Sequence, residues 1–142
     1  MAMTDPRRIV LVDDEEMLAW SLSIRLSRVR PSWAIATSND GESAIERVQS
    51  GPLDLLISDV RMPGMSGIDL IFAARAEDPH LPVIVMTAFR TPDVQRLHGA
   101  PFTSFLEKPF EFERLLELAD EALLLRSSRS PALSPNDRRR FG

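Results

Sequence analysis

Two apolar segments of this chain end on acids. RIVLVDD, Arg8 to Asp14, closes on Asp13 and Asp14, and LLISDVRMPGMSG, Leu55 to Gly67, runs through a stretch with hardly a polar atom before it reaches Asp59. Two further segments end on groups of complementary chemistry: PVIVMT closes on the hydroxyl of Thr87, and FTSFL is followed shortly by the ammonium of Lys108. Carboxylates drawn together repel one another, by about 4 kcal/mol for a pair 4 Å apart at an effective dielectric near 20. A shared site therefore needs cations, and Lys108 supplies one. An oxygen-rich acidic pocket without His or Cys also suits a hard ion such as Mg2+, which keeps some waters and favours phosphate oxygens as further ligands. A metal, a hydroxyl, an ammonium and a nucleophilic carboxylate are the parts that phosphoryl transfer requires.

The elements that must bring these groups together are legible as patterns. IVLV, LDLLIS, PVIVMT and FTSFL are apolar on successive residues, and WAIATS, Trp33 to Ser38, is a less apolar fifth run. Runs without alternation suit strands buried on both faces, the parallel-sheet situation. Between them lie helical stripes: Leu18, Leu22, Leu26 and Val29; Ala44, Ile45 and Val48; Ile68, Ile71 and Phe72; and Leu115, Leu118, Ala119, Ala122 and Leu123. Ser66 with Asp69 reads as a capping box, and Thr91 before Pro92 as an N-cap with Pro at the first helical position. Strand then helix, five times over, implies an α/β fold with a five-stranded parallel sheet and helices on both faces. In such a sheet ligands bind outside the carboxyl ends of the strands, which is where all five polar groups fall.

Composition bounds the rest. The chain has 142 residues, 44% hydrophobic and 27% charged, with a net charge of -4 and no Cys. That is one domain's length, with no basic excess to suggest direct nucleic-acid binding and no thiol chemistry. MAMTDPRR lacks the apolar core of a secretory signal, and LPVIVMTAF falls far short of the roughly 20 residues that span a bilayer. The expectation is a cytoplasmic protein without a membrane partner. Residues 127–142, SSRSPALSPNDRRRFG, are low in large apolar residues, and read as a flexible tail or linker after a domain over residues 1–126.

Each polar residue has a plainer explanation when taken singly. Asp14, Glu15 and Glu16 suit the start of a helix; Asp59 suits a turn with Pro63, Gly64 and Gly67; Thr87 can be a strand-end residue and Lys108 a solvated lysine. Together these do not explain why every strand end but the second carries a group suited to phosphate or metal. His80 and His98 are expected at the surface, and Trp20 and Trp33 belong to no motif.

The set LVDDEE, SDVRMPGMSG, VIVMTA and FLEKPF resembles the receiver domain of bacterial response regulators, from about Arg8 to Leu125. The resemblance implies a flavodoxin-like (βα)5 fold with strand order 2-1-3-4-5. It implies that Asp59 accepts a phosphoryl group from a histidine kinase or a histidine phosphotransfer protein. It assigns Mg2+ to Asp13, Asp14, Asp59 and the backbone carbonyl of Arg61, and phosphate binding to Thr87, the N–H of Ala88, and Lys108. Thr87 and Phe105 would form the switch that couples the site to the face of the fourth helix, fifth strand and fifth helix. Lys108-Pro109 would be a cis peptide, and Arg61 and Phe89 would tune phosphate lifetime. Partners open to it are a homodimer mate and, unless the chain is a stand-alone receiver ending in a tail, an output domain beyond the chain end, since the motifs look most similar to receivers attached to DNA-binding outputs, enhancer-binding activators included. The implied role is that of a phosphoacceptor, with self-phosphorylation and self-dephosphorylation as its only reactions.

The chain departs from this pattern in FRTPDVQRLHGAPFTSF, where the helix starts late at Pro92 and Pro101 follows Gly99. A short fourth helix is expected, which leaves the dimer mode open. Two rival functions remain. A haloacid dehalogenase type phosphatase also uses an Asp nucleophile and Mg2+, but it needs a second acid where this chain has Arg61. A receiver-fold interaction module regulated without phosphorylation would have no need of all five site residues.

Overall fold

The computed structural model describes residues 6–88 and 92–129, and each of the five apolar runs forms a strand. In chain order the elements are β1 (Arg7–Val12), α1 (Glu16–Val29), β2 (Trp33–Ser38), α2 (Gly41–Gln49), β3 (Leu55–Asp59), α3 (Gly67–Glu77), β4 (Val83–Thr87), α4 (Pro92–Gln95), β5 (Thr103–Glu107) and α5 (Phe112–Arg129). The strands pair in parallel in the order β2-β1-β3-β4-β5.

Successive strand side chains point to opposite faces, and both faces here are covered. Ile9, Leu11, Leu55, Ile57, Ile84 and Met86 pack with α1 and α5. Val10, Val12, Leu56, Val83 and Val85 pack with α2 and α3 and with Val94 and Leu97 around α4. That double cover is why the interior strands lack alternation. The edge strands β2 and β5 are less buried and carry more polar residues.

Helix starts follow from short polar side chains. The Ser66 hydroxyl accepts the Asp69 N–H at 3.2 Å, and the Asp40 carboxylate accepts the Ser43 N–H at 2.7 Å, each satisfying a donor that a first turn leaves open. The acids before α1 behave differently from the expectation. Glu15 occupies the N-cap position without a side-chain cap bond, and Asp13 accepts the Glu15 N–H at 2.9 Å. Asp14 is therefore not the cap.

Two stripe residues also fall outside the core. Val29 and Phe72 are exposed; Phe72 instead lies under the Arg96 guanidinium, 5.1 Å from its ring centroid. α4 is a single turn, as the sequence suggests, because Gly99 with φ +85° and Pro101 end any helical continuation. Val94 and Leu97 nonetheless stay buried, so the segment is packed although hardly helical. α5 continues to Arg129, past the composition change after Arg126. The cap expected at Thr91, the Phe89 position and the tail from residue 130 lie outside the described residues. Among the described residues no helix is long and apolar enough to cross a membrane.

Candidate functional site

The strand order reverses at β1: the chain leaves it first for β2 on one side, then for β3 on the other. Connections that depart in opposite directions open a crevice at the carboxyl ends of β1 and β3, and the acids sit there. One ligand oxygen each from Asp13, Asp14 and Asp59 lies within 4.8 Å of the others. Asp13 is fully buried, Asp59 is 8% exposed, and Asp14 is exposed. The backbone fixes the first of these from two sides, since the Asp13 N–H donates to the Ser38 carbonyl at 3.1 Å while its carboxylate accepts the Glu15 N–H.

Lys108 enters from beyond β5. Thr87 pairs with Glu107 in the β4–β5 register, and the Lys108 N–H donates to the Thr87 carbonyl at 2.8 Å. This brings the Lys108 Nζ to 3.1 Å from Asp13 Oδ2 and 3.3 Å from Asp59 Oδ2, with Glu15 Oε1 at 4.0 Å. Glu15 is thus a fourth acid of the site, a role that its place at a helix start hid in the sequence. Thr87 is buried at the end of β4, with Ala88 exposed just after it. Arg61 is exposed two residues beyond Asp59. The Lys108-Pro109 peptide is cis.

The electrostatics are unbalanced. Burial first, and the charge of Asp13 second, push the Asp59 carboxyl above the usual aspartate range; Lys108 and the Val60 N–H only partly counter them. For Lys108 burial works to lower its pKa, but the hydrogen bond and charge of Asp13, reinforced by Asp59, outweigh it and the net shift is upward. One ammonium does not neutralise this cluster. The donor set fits a hard divalent cation: all oxygen, with a spread close to the roughly 4.2 Å between opposite ligands of an ion that binds oxygen at about 2.1 Å.

Phe105 lies opposite Val85 in the β4–β5 register, half-buried against the α2–α3 side of the core. Its ring centroid is 6.0 Å from that of His98. His98 and His80 are both exposed, and His80 meets Phe102 edge to face. Two residues next to Asp59 went unremarked in the sequence as site residues. Ser58 is a fully buried hydroxyl in an otherwise apolar run, and Gly67, which reads as an ordinary turn residue, lies against the Asp59 backbone. A polar residue inside LLISD was the available signal for the first; nothing local marks the second.

Comparison with known proteins points to one family. The family model described as "Response regulator receiver domain" matches residues 9–120. The chain is 36% identical over 124 residues to the probable transcriptional regulatory protein TcrX of Mycobacterium tuberculosis, covering 86% of this chain and 51% of that protein. It is 33% identical over 115 residues to the DNA-binding transcriptional regulator NtrC of Escherichia coli, covering 80% of this chain and 24% of that protein. Among solved structures, the chemotaxis protein CheY4 of Vibrio cholerae superposes with a TM-score of 0.74 at 27% identity, covering 83% of this chain and 99% of that one. The chain thus spans about half of the first relative's length and about a quarter of the second's.

Proposed function

The chain belongs to the response regulator receiver domain family of two-component signalling, and on that premise we propose that Asp59 accepts a phosphoryl group from the phosphohistidine of a histidine kinase or a histidine phosphotransfer protein, in a Mg2+-dependent reaction. The observation that carries this reading is the Lys108 ammonium bridging Asp13 and Asp59 at 3.1 and 3.3 Å in a cluster that remains short of positive charge.

Asp13, Asp14, Asp59 and the backbone carbonyl of Arg61 would hold the ion. When bound, Mg2+ supplies positive charge that offsets both the crowded carboxylates and the charge on the transferring group. The chain's own residues do the rest. An ionised Asp59 oxygen forms the new bond to phosphorus; the phosphorus–nitrogen bond of the donor breaks, and its electron pair stays on the ring nitrogen, which takes up a proton. Asp59 needs no general base, because in its reacting form it has no proton to lose; the rate comes from in-line positioning and neutralised charge. Lys108 faces one phosphoryl oxygen, while the Thr87 hydroxyl and Ala88 N–H face others.

In this reading the domain acts on itself, by accepting and later losing phosphate, and is not an enzyme with a separate substrate. Thr87 and Phe105 carry the change to the face of α4, β5 and α5, where an output domain, a partner or a second copy reads it. Such a domain works in the cytoplasm, with the DNA contacts left to whatever output it controls.

Incubation with Mg2+ and acetyl phosphate followed by intact-mass measurement tests the proposal. One labile phosphate is expected, absent in Asp59→Asn and absent with chelator. Steady release of product from an added phosphate ester would instead favour a phosphatase, and a protein that binds no Mg2+ and takes no phosphate would favour the unphosphorylated interaction module.

A further inference from the structure

The peptide group that follows Asp59 is gripped from two sides. Ser58, fully buried, donates its hydroxyl proton to the Asp59 carbonyl oxygen at 2.8 Å. From the other side Gly67, the first residue of α3, lies against the same carbonyl, and its N–H ties down the next peptide by donating to the Val60 carbonyl at 2.9 Å. The bare Cα of Gly67 also leaves the space that the Asp59 carbonyl fills. A Cβ there would lie 1.9 Å from that oxygen, 2.9 Å from its carbon and 2.9 Å from the Val60 Cα. These are backbone atoms, which cannot swing aside as the end of a side chain can. The gripped peptide carries the Val60 N–H, and that N–H holds Asp59 Oδ1 at 2.8 Å. The other oxygen, Oδ2, is the one facing Lys108.

We propose that Ser58 and Gly67 are positioning residues for Asp59: together they fix the Asp59–Val60 peptide so that its N–H holds one carboxylate oxygen and leaves the other turned to Lys108. The inference rests on Asp59 being the acceptor. Packing alone does not account for the pair. An apolar residue would fill the Ser58 position in the core without a hydroxyl to satisfy, whereas the hydroxyl here is spent on the acceptor's own carbonyl. A small shift of this peptide moves the carboxylate relative to Lys108, and misplacement by about 1 Å is enough to slow a positioned reaction about 100-fold.

The test is the rate constant for phosphorylation by acetyl phosphate in Ser58→Ala, Gly67→Ala and Gly64→Ala, with the concentrations of donor and Mg2+ that give half-saturation. Ser58→Ala is expected to lower the saturated rate constant about tenfold and Gly67→Ala about 100-fold, with both half-saturating concentrations within about twofold of wild type. Gly64→Ala serves as the control in the same turn: at φ +75° it is strained, but its Cβ would approach only the Glu42 carboxylate, at 3.2 Å. It keeps the wild-type rate. Should Gly67→Ala fail to fold, Ser58→Ala alone decides. Wild-type rates in the folded variants, or a fall in Gly64→Ala equal to theirs, would overturn the proposal while leaving Asp59 as the acceptor. A wild-type protein that takes up no phosphate removes the acceptor reading and this inference with it.

Discussion

The two rims of the sheet handle charge in opposite ways. At the amino ends of the strands, arginines are tied to backbone carbonyls. Arg8 reaches the carbonyls of Gly51, Pro52 and Arg47 at 2.7 to 2.9 Å, and Arg75 those of Leu81 and Phe102 at 3.1 and 2.9 Å. Arg126 reaches the carbonyls of Leu53 and His80 at 2.9 and 3.2 Å and pairs with Asp78. The planar fork of a guanidinium suits this work, because it joins two or three acceptors in fixed directions. At the carboxyl ends the arrangement is reversed: among the described residues, the clustered acids outnumber the ammonium they share. Of the chain's 17 basic residues one is lysine, and it stands there as Lys108. The amino rim is satisfied by the protein itself, whereas the carboxyl rim is left with charge for a ligand to complete.

The largest break of this contrast comes from Lys108→Ala. Phosphorylation of Asp59 by acetyl phosphate, followed by intact mass, is expected to fall about 100- to 1,000-fold. Lys108→Arg should recover little of it, since a fork does not replace a compact ammonium between two carboxylates. Arg126→Ala tests the opposite rim. Losing bonds to Leu53, His80 and Asp78 should cost about 2–3 kcal/mol in urea unfolding, while phosphorylation stays within about twofold. A parallel loss of phosphorylation would mean that the rims are not independent.

Mg2+ should have a comparable effect in the other direction. At 100 times its dissociation constant it adds about 2.7 kcal/mol of stability, read as a rise in Tm, and Asp13→Asn should remove most of that gain. The smallest effect is the most diagnostic. The folded chain raises the Asp59 pKa, so it binds that proton more tightly than the unfolded chain does. The stability tied to this group is full below the ordinary aspartate value of 3.8 and is lost as pH rises through the raised folded value. Without Mg2+, Asp59→Asn should therefore be more stable than wild type at neutral pH, read as a higher Tm. The gap should close in acid below that range, and equal stability at neutral pH would remove the claim of an unbalanced rim.

Much of this was legible beforehand, for reasons that differ by residue. The interior strands announce themselves because double burial excludes polar residues, and Ser66 announces α3 because a first turn leaves donors open. Phe72 and Val29 misled because their spacing fits a stripe, while the width of the buried face is set by what packs against it. Asp14 looked like a cap because acids before a helix commonly are, yet Glu15 takes the N-cap position and its N–H is held by Asp13. Glu15 was hidden for the same reason. Gly67 could not be singled out, since a close approach between β3 and α3 exists only once both are in place.

The sequence by itself determined the alternation of strands and helices and the kinds of polar group at the strand ends, because burial and turn chemistry act locally. Only the tertiary structure decided which of those groups meet. Lys108 bonds to Asp13 and Asp59 across 95 and 49 residues of chain, and such distances follow from strand order and register, which no local pattern encodes. The same assembly buried Asp13, left Asp14 exposed and pressed Gly67 against the Asp59 carbonyl, since each depends on how separate elements pack.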